Sequence, residues 1–343
     1  MRALVTGSSG VLGACLVARM RERGTPLRLL DLVPRPDGGP PPGSGVEFVQ
    51  ADLRDRQAVA CACQDIEVVY HLAAGQRMKP QFAGMSERDI FDMNVRAVEH
   101  VLAGALAAGV RKLVHVSSSG VYGIPRAVSV SEDHPQRPLG AYGRSKIAAE
   151  ERCREALGRG LDVTILRPMS LFGPGMTGIF VLLFDWVRQG KNVYLLGDGS
   201  NRVQMASAWD VADACLLAAG RRESRGAVLN IGAGEVPTVR AQVEALIAHA
   251  GSRSRIVPIP PALLRSAARA LHLVGLSPIV PEHYLLADRT FVLDIRRARE
   301  VLGWEPGWSN VGMTNAAYDW YCRYWEIHQP RPGPVLRLLN ALS

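Results

Sequence analysis

Three glycines, Gly7, Gly10 and Gly13, stand between a short apolar run, Arg2-Ala3-Leu4-Val5-Thr6, and an amphipathic stretch from about Val11 to Arg23. The run reads as a buried strand and the stretch as a helix, so the glycines form a strand-turn-helix joint. The three glycines differ in what they permit. Gly7 allows the tight turn, Gly10 lets backbone approach a ligand without a Cβ between them, and Gly13 allows the helix to pack closely on the strand. A pyrophosphate suits the positive end of such a helix. In this loop Ser9, Val11 and Leu12 are the other candidates to line a dinucleotide. Asp31 follows Gly13 by 18 positions and ends a second strand, Leu27 to Asp31. A carboxylate there accepts hydrogen bonds from ribose hydroxyls and repels a 2′-phosphate, which selects NAD over NADP. Asp52 and Leu53, after a third strand at Val46–Val49, are placed to meet the adenine.

The same alternation continues. Val68–His71 reads as a strand, Met85–Ala108 as a long helix, Lys112–Val116 as a strand, Ala141–Leu157 as a helix and Val163–Leu166 as a strand. Such alternation predicts an α/β fold, a Rossmann doubly wound parallel sheet with helices on both faces. Residues 1–168 are expected to form it, with 205–230 returning to it. Residues 169–204 and 231–343 are less regular and are expected to form a smaller, discontinuous C-terminal substrate-binding lobe. Pro34–Gly45, rich in proline and glycine, reads as a surface loop, and Val335–Leu342 as a short apolar helix.

Tyr142-Gly143-Arg144-Ser145-Lys146 opens a helix, and positions four apart share a helix face. The Lys146 ammonium is thereby placed to stabilise a Tyr142 phenolate. A free tyrosine ionises near pH ~10, and a neighbouring cation brings that toward neutrality. A tyrosine so tuned exchanges a proton with an alcohol or ketone while hydride moves to or from a nicotinamide. Ser117-Ser118-Ser119-Gly120 follows a strand, and strand ends of an open sheet face the ligand crevice. A serine hydroxyl there can hold the oxygen on which Tyr142 works.

Charge and cysteine content narrow the function classes. The net charge is +8 and rests almost wholly on dispersed arginine, with aromatics only 6% of the chain. That pattern fits an anionic small molecule better than nucleic acid. No apolar run approaches the roughly 18 residues of a membrane span, and the N-terminal glycine spacing argues against a signal peptide, so a cytoplasmic protein is expected. The six cysteines lack metal-ligand spacing, so no metal is expected.

These motifs together resemble the extended short-chain dehydrogenase/reductases, in particular the NAD-dependent epimerase/dehydratase branch that acts on nucleotide sugars. The resemblance runs nearly the whole chain. It rests on Thr6 to Gly13, Val69-Tyr70-His71-Leu72-Ala73-Ala74, Asn94-Val95, Ser117 to Gly123, Tyr142 to Lys146, Leu166-Arg167-Pro168, Phe172-Gly173-Pro174-Gly175, Gly197-Asp198-Gly199 and Leu302-Gly303-Trp304-Glu305-Pro306. It implies Ser118, Tyr142 and Lys146 as catalytic residues. It also implies cofactor contacts at Leu72, Ala73, Ala74, Asn94, Ser117, Tyr142, Lys146 and Pro168, and a homodimer. Sugar dehydratases carry Asp-Glu where this chain has Ser119-Gly120, which argues against dehydration. Epimerisation needs only the shared machinery: oxidation to a keto-sugar, then return of hydride to the opposite face.

Other matches to that family are displaced. Ser170 stands where it often carries a substrate-binding Asn, and the Arg expected after Gly197-Asp198-Gly199 falls on Val203, beside Arg202. Arg289 lies in a segment resembling the one whose Arg clamps a diphosphate, a ligand suited to an arginine fork. An ion pair is the alternative role for both arginines. Gln76, in the loop after the fourth strand, is a further substrate candidate, with a solvated loop as the alternative. With Ser118 and Ser119, these make up the expected substrate site. Two other functions stay open: an NAD-dependent alcohol dehydrogenase or ketoreductase like the 3β-hydroxysteroid dehydrogenase branch, which carries an Asn at the place of Asn201, and a non-catalytic NAD-binding scaffold.

Overall fold

The β-rich alternation of the N-terminal half folds into one seven-stranded parallel sheet. A computed structural model describes residues 2–34, 45–75, 82, 84–173, 180–260 and 288–328. In chain order the sheet strands are β1 (Ala3–Thr6), β2 (Leu27–Asp31), β3 (Val46–Gln50), β4 (Val68–His71), β5 (Lys112–Val116), β6 (Asp162–Pro168) and β10 (Val228–Ile231), arranged β10-β6-β5-β4-β1-β2-β3. Every pairing is parallel. The order reverses between β1 and β4, the place where an open α/β sheet takes its ligand, at the carboxyl ends of the strands.

Alternate residues of each strand enter two different cores. Ala3, Val5, Leu29, Tyr70, Val114 and Leu229 pack against α1 (Val11–Glu22), α6 (Ala208–Gly220) and α8 (Arg296–Leu302). Leu4, Leu30, Val69, Leu113, Val163 and Ile165 pack against α2 (Arg56–Ala62), α3 (Glu87–Ala107) and α4 (Ala141–Gly158). Burial on both faces is why the strands read as continuous apolar runs. The helix α3 begins two residues later than its periodicity suggests, because Ser86 and Asp89 form a reciprocal capping box that fixes the start. The helix α2 was not apparent from periodicity; its first turn is set by Asp55, which accepts from the backbone of Gln57 and Ala58.

A third core lies outside the sheet. It gathers Phe172, Phe184, Trp186, Leu195, Leu246, Met313, Tyr318 and Tyr321. These come from β7 (Leu171–Phe172), α5 (Phe180–Gln189), β8 (Val193–Leu196), α7 (Val239–His249) and α9 (Asn310–His328). The remaining strands, β9 (Ala206–Ser207) and β11 (Ile256–Ile259), pair with β7 and β8 respectively. They are two to four residues long, too short to show a period in the sequence. The central residues of the Pro34–Gly45 stretch and all of Val335–Leu342 lie outside the described residues. Among the described residues, no helix is long and apolar enough to cross a membrane, and no group of three or more acidic, His or Cys side chains could hold a metal ion.

Candidate active site

The loops after β1 and β4 meet at the reversal of strand order. Gly7 has φ +74°, and a Cβ on it would lie 2.7 Å from the Ala73 amide nitrogen. Only glycine fits there, so Leu72, Ala73 and Ala74 are brought against the glycine loop. A Cβ on Gly13 would run into the Gly7 carbonyl and the Ser8 backbone. Gly10 is different: its added Cβ would meet only the Gly7 oxygen, at 3.4 Å, an ordinary contact. The protein's own packing does not demand glycine at that exposed position, which leaves its backbone open to a bound group. Gly10 is also the N-cap of α1, and no side chain caps that helix. Its first-turn N–H groups, on Val11 and Leu12, suit an anion.

Asp31 closes the cradle. Its Oδ2 accepts from the Ser9 amide at 2.9 Å and its Oδ1 from the Val33 amide at 3.1 Å, which fixes the carboxylate at the rim of the loop with acceptor capacity to spare. Donors, dipole and acid together fit a dinucleotide with free ribose hydroxyls. Asp52 is more occupied than the sequence suggests: Arg54 binds it through three contacts of 2.6–3.1 Å and holds its carboxyl below the ordinary value. The carbonyl of Leu53 is engaged by His100 at 2.9 Å.

Across the crevice, Ser118 and Tyr142 converge on Gly120. A Cβ placed on Gly120 would lie 3.3 Å from Ser118 Oγ and 3.9 Å from Tyr142 Cε1. Ser118 begins a short turn, Ser119–Val121, and its Oγ accepts the Gly120 amide at 3.0 Å. That bond aims the hydroxyl toward the first turn of α4. The helix can come this close because position 143 is glycine: a Cβ there would stand 2.6 Å from the Gly120 oxygen and 2.7 Å from Pro138 Cβ. Lys146 Nζ lies 5.8 Å from the centre of the Tyr142 ring and donates to the Val116 carbonyl at 2.8 Å. Ser118 and Tyr142 are half-buried, whereas Ser117, Ser119 and Lys146 are buried. Two side chains thus reach the crevice over a buried cation.

Several expected residues serve the frame. Asn94 binds the Gly75 backbone through both amide atoms, at 2.7 and 3.1 Å, and donates to Ser145 Oγ at 3.0 Å. It therefore ties the loop after β4 to α4. The Ser117 hydroxyl turns inward and donates to Glu150 at 2.7 Å. Pro168 is buried as the last residue of β6. Arg202 and Arg289 are brought to one seam, where Val203 bridges Phe291 and Asn201 donates to the Arg289 carbonyl at 3.3 Å. Arg202 donates to the Val236 carbonyl, and Arg289 is exposed beside Asp288. Ser170 is exposed at the end of β6, its carbonyl accepting from Ala206 at 3.0 Å. Gln76 lies outside the described residues.

Two buried polar pairs, Glu150–Arg167 and His71–His115, lie beneath the site beyond the residues expected from the sequence. Glu150 and Arg167 form a bidentate pair at 2.6 and 2.8 Å. Glu150 follows Lys146 by four positions, so the helical face that joins Tyr142 to Lys146 already pointed to it. His71 and His115 stack with ring centres 5.4 Å apart, and His71 shares a hydrogen bond with Thr6 at 2.7 Å. Burial, then the charge of Lys146, pushes His71 down to about 3 and His115 well below the usual histidine range. Their strand positions read only as sheet interior.

The sequence profile of the NAD dependent epimerase/dehydratase family matches residues 3–232. A UDP-glucose 4-epimerase of Mycolicibacterium smegmatis is 32% identical over 323 residues, spanning 89% of this chain and 94% of that protein. A 3beta-hydroxysteroid-dehydrogenase/decarboxylase (isoform 2) of Arabidopsis thaliana is 27% identical over 337 residues, 88% of this chain and 59% of that one. The solved structure of MoeE5 in complex with UDP-glucose and NAD superposes with a TM-score of 0.73 at 27% identity, covering 94% of this chain and 99% of that one. The chain belongs to the NAD-dependent epimerase/dehydratase family, within the extended short-chain dehydrogenase/reductases, and NAD is the cofactor of that family.

Proposed function

We propose that this enzyme is a nucleotide-sugar epimerase in which Tyr142 is the proton-transfer group, Lys146 its electrostatic support and Ser118 the group that orients the reacting oxygen. The observation that carries this reading is the convergence of Ser118 Oγ and the Tyr142 ring on Gly120, with Lys146 Nζ 5.8 Å from that ring. The buried ammonium favours the phenolate over the phenol. Tyr142 then takes the proton of a substrate hydroxyl while the Ser118 hydroxyl holds the same oxygen, and it gives the proton back once the sugar has turned in the site. NAD, held by Gly7–Gly13 and Asp31, supplies the hydride acceptor and donor. Because the cycle regenerates the cofactor, tight binding at the glycine loop serves it well. The segments around the third core are proposed to carry the substrate, with Ser119, Ser170, Arg202 and Arg289 as polar contacts. The Mycolicibacterium relative and the MoeE5 complex support a UDP-sugar as the first ligand to test.

A second reading, net oxidation of an apolar alcohol, is favoured by one local feature and one relative. Phe172 and Phe180 pack with ring centres 4.4 Å apart next to Leu171, an apolar wall. The Arabidopsis relative is named for sterol chemistry. The two readings separate in one assay. Purified protein is offered UDP- and dTDP-sugars, and products are resolved by chromatography while reduced nicotinamide is followed by absorbance. Epimerisation yields an isomeric sugar nucleotide without accumulating reduced cofactor. Reduced cofactor forming in step with an oxidised product would rule it out.

A further inference from the structure

We propose that Glu150 is a positioning residue: its carboxylate sets the distance between Ser118 and Tyr142 by joining the helix that carries one to the strand end that carries the other. This rests on the assignment of those two residues to the reaction.

The carboxylate is wholly buried, and five donors converge on it. Oε1 accepts from Ser117 Oγ at 2.7 Å and from Arg167 Nε at 2.8 Å. Oε2 accepts from Arg167 Nη2 at 2.6 Å, Arg154 Nη2 at 3.0 Å and Gln136 Nε2 at 3.1 Å. Three structural elements that bear on the site are thereby fastened to one group. The first is α4, on which Tyr142, Lys146 and Glu150 stand at successive positions of one face. The second is the end of β5, through Ser117, the residue immediately before Ser118. The third is the end of β6, through Arg167.

Arg167 extends the connection to the far side of the Ser118 turn. Its Nη1 donates to the Tyr122 hydroxyl at 2.8 Å and to the Glu132 carbonyl at 3.0 Å. Tyr122 closes the Ser119–Val121 turn and donates to Asn230 at 2.7 Å. The turn is thus held from both ends by one buried network, and the helix bearing Tyr142 hangs from the same carboxylate. Burial opposes ionisation of Glu150, yet the hydrogen bonds and charge of Arg167 outweigh it and keep the carboxyl below its ordinary value. A buried ion pair is itself weak evidence for stability, because desolvation offsets much of its attraction. Position is what the charged pair supplies beyond any stability, because bidentate geometry fixes direction as well as distance.

The test uses Glu150→Gln and the double variant Glu150→Met/Arg167→Met as full-length proteins with NAD bound. Crystal structures are expected to show the Ser118–Tyr142 separation altered by about 1 Å in Glu150→Gln, a displacement that costs ~10²-fold in rate. With UDP-glucose as the probe, kcat is expected to fall ~10²-fold while KM and NAD affinity stay within about threefold. The double variant leaves no buried charge unpaired, so it is expected to recover thermal stability without recovering kcat. A purely structural pair would restore both, and that result, or an unchanged Ser118–Tyr142 separation in both variants, overturns the proposal. If Glu150→Gln does not fold, the double variant alone decides, by its geometry. Tyr142→Phe run alongside keeps the two ideas apart: full activity in it defeats the underlying assignment, whereas the measured separation still judges Glu150.

Discussion

At the scale of single residues, the site depends on where a proton can sit. Tyr142 is half-buried with a buried ammonium 5.8 Å from its ring, and Ser118 is held toward it by the Gly120 amide. Replacing Tyr142 with Phe removes the hydroxyl and little else. Turnover is expected to drop roughly 10²-fold or more, measured at saturating NAD. Asp31 offers a second residue-scale prediction. Its carboxylate is fixed by the Ser9 and Val33 amides at the place where a 2′-phosphate would bring a like charge. Asp31→Ala is expected to lower the preference for NAD over NADP about tenfold or more, equivalent to ~1.4 kcal/mol, as measured by the ratio of dissociation constants. An unaltered ratio would mean that another group selects the cofactor. The glycine loop, Asp31, Tyr142 and Lys146 were all readable in the sequence because their spacing is local. Glu150 shared that helical spacing, but its partners Ser117 and Arg167 are 33 and 17 residues away, and no local pattern names them.

At the scale of elements, the sheet carries an acid sensitivity. The ends of β4 and β5 place His71 opposite His115 in register, both buried beneath α3 and α4. Both fold as neutral rings, with pKa values far below the unfolded ~6.5. The unfolded chain therefore binds more protons between the folded and unfolded values. The stability tied to these rings is fully present above pH ~6.5 and declines as pH falls through the acid range, for His71 toward about 3. Each ring contributes a slope of up to ~1.4 kcal/mol per pH unit. His115→Phe keeps an aromatic stack and removes one titrating group. Urea denaturation at several pH values between 6 and 4 is expected to show a shallower loss of stability by about one proton; an identical slope would place the titration elsewhere. Glu150 acts in the same direction lower down: its depressed folded value makes its contribution complete above the unfolded carboxyl value and lost as pH falls below it. The elements themselves were largely legible. Parallel strands buried on both faces give apolar runs, and α1, α3 and α4 show apolar periodicity. The strands β7, β8, β9 and β11 were not, because two to four residues cannot display a period.

At the scale of the whole molecule, distant segments of the chain are fastened to the sheet by few but well-buried contacts. Trp304 is buried, and its ring nitrogen donates to the Asp210 carbonyl at 3.0 Å. The Asp210 carboxylate in turn accepts the Gly307 and Trp308 amides at 3.0 and 3.1 Å. The segment that leads into α9 is thereby docked on α6, linking the third core to the sheet. Trp304→Ala is expected to cost ~3–5 kcal/mol by loss of packing, read from the urea midpoint with an unchanged slope. A loss below about 1 kcal/mol would show that the docking is carried by Asp210 alone.

What the amino-acid order determined by itself is the set of local relations: the strand-glycine-helix joint, the acid that ends β2, and the four-residue interval from Tyr142 to Lys146. Backbone sterics and helical pitch act over a few residues and so leave a written trace. The strand order that opens the crevice between β1 and β4, the meeting of Ser118 with Tyr142 over Gly120, and the convergence of Ser117, Glu150 and Arg167 were decided only by tertiary packing. Those groups are brought together by burial of two sheet faces, a driving force that is non-directional and leaves no fixed spacing in the sequence.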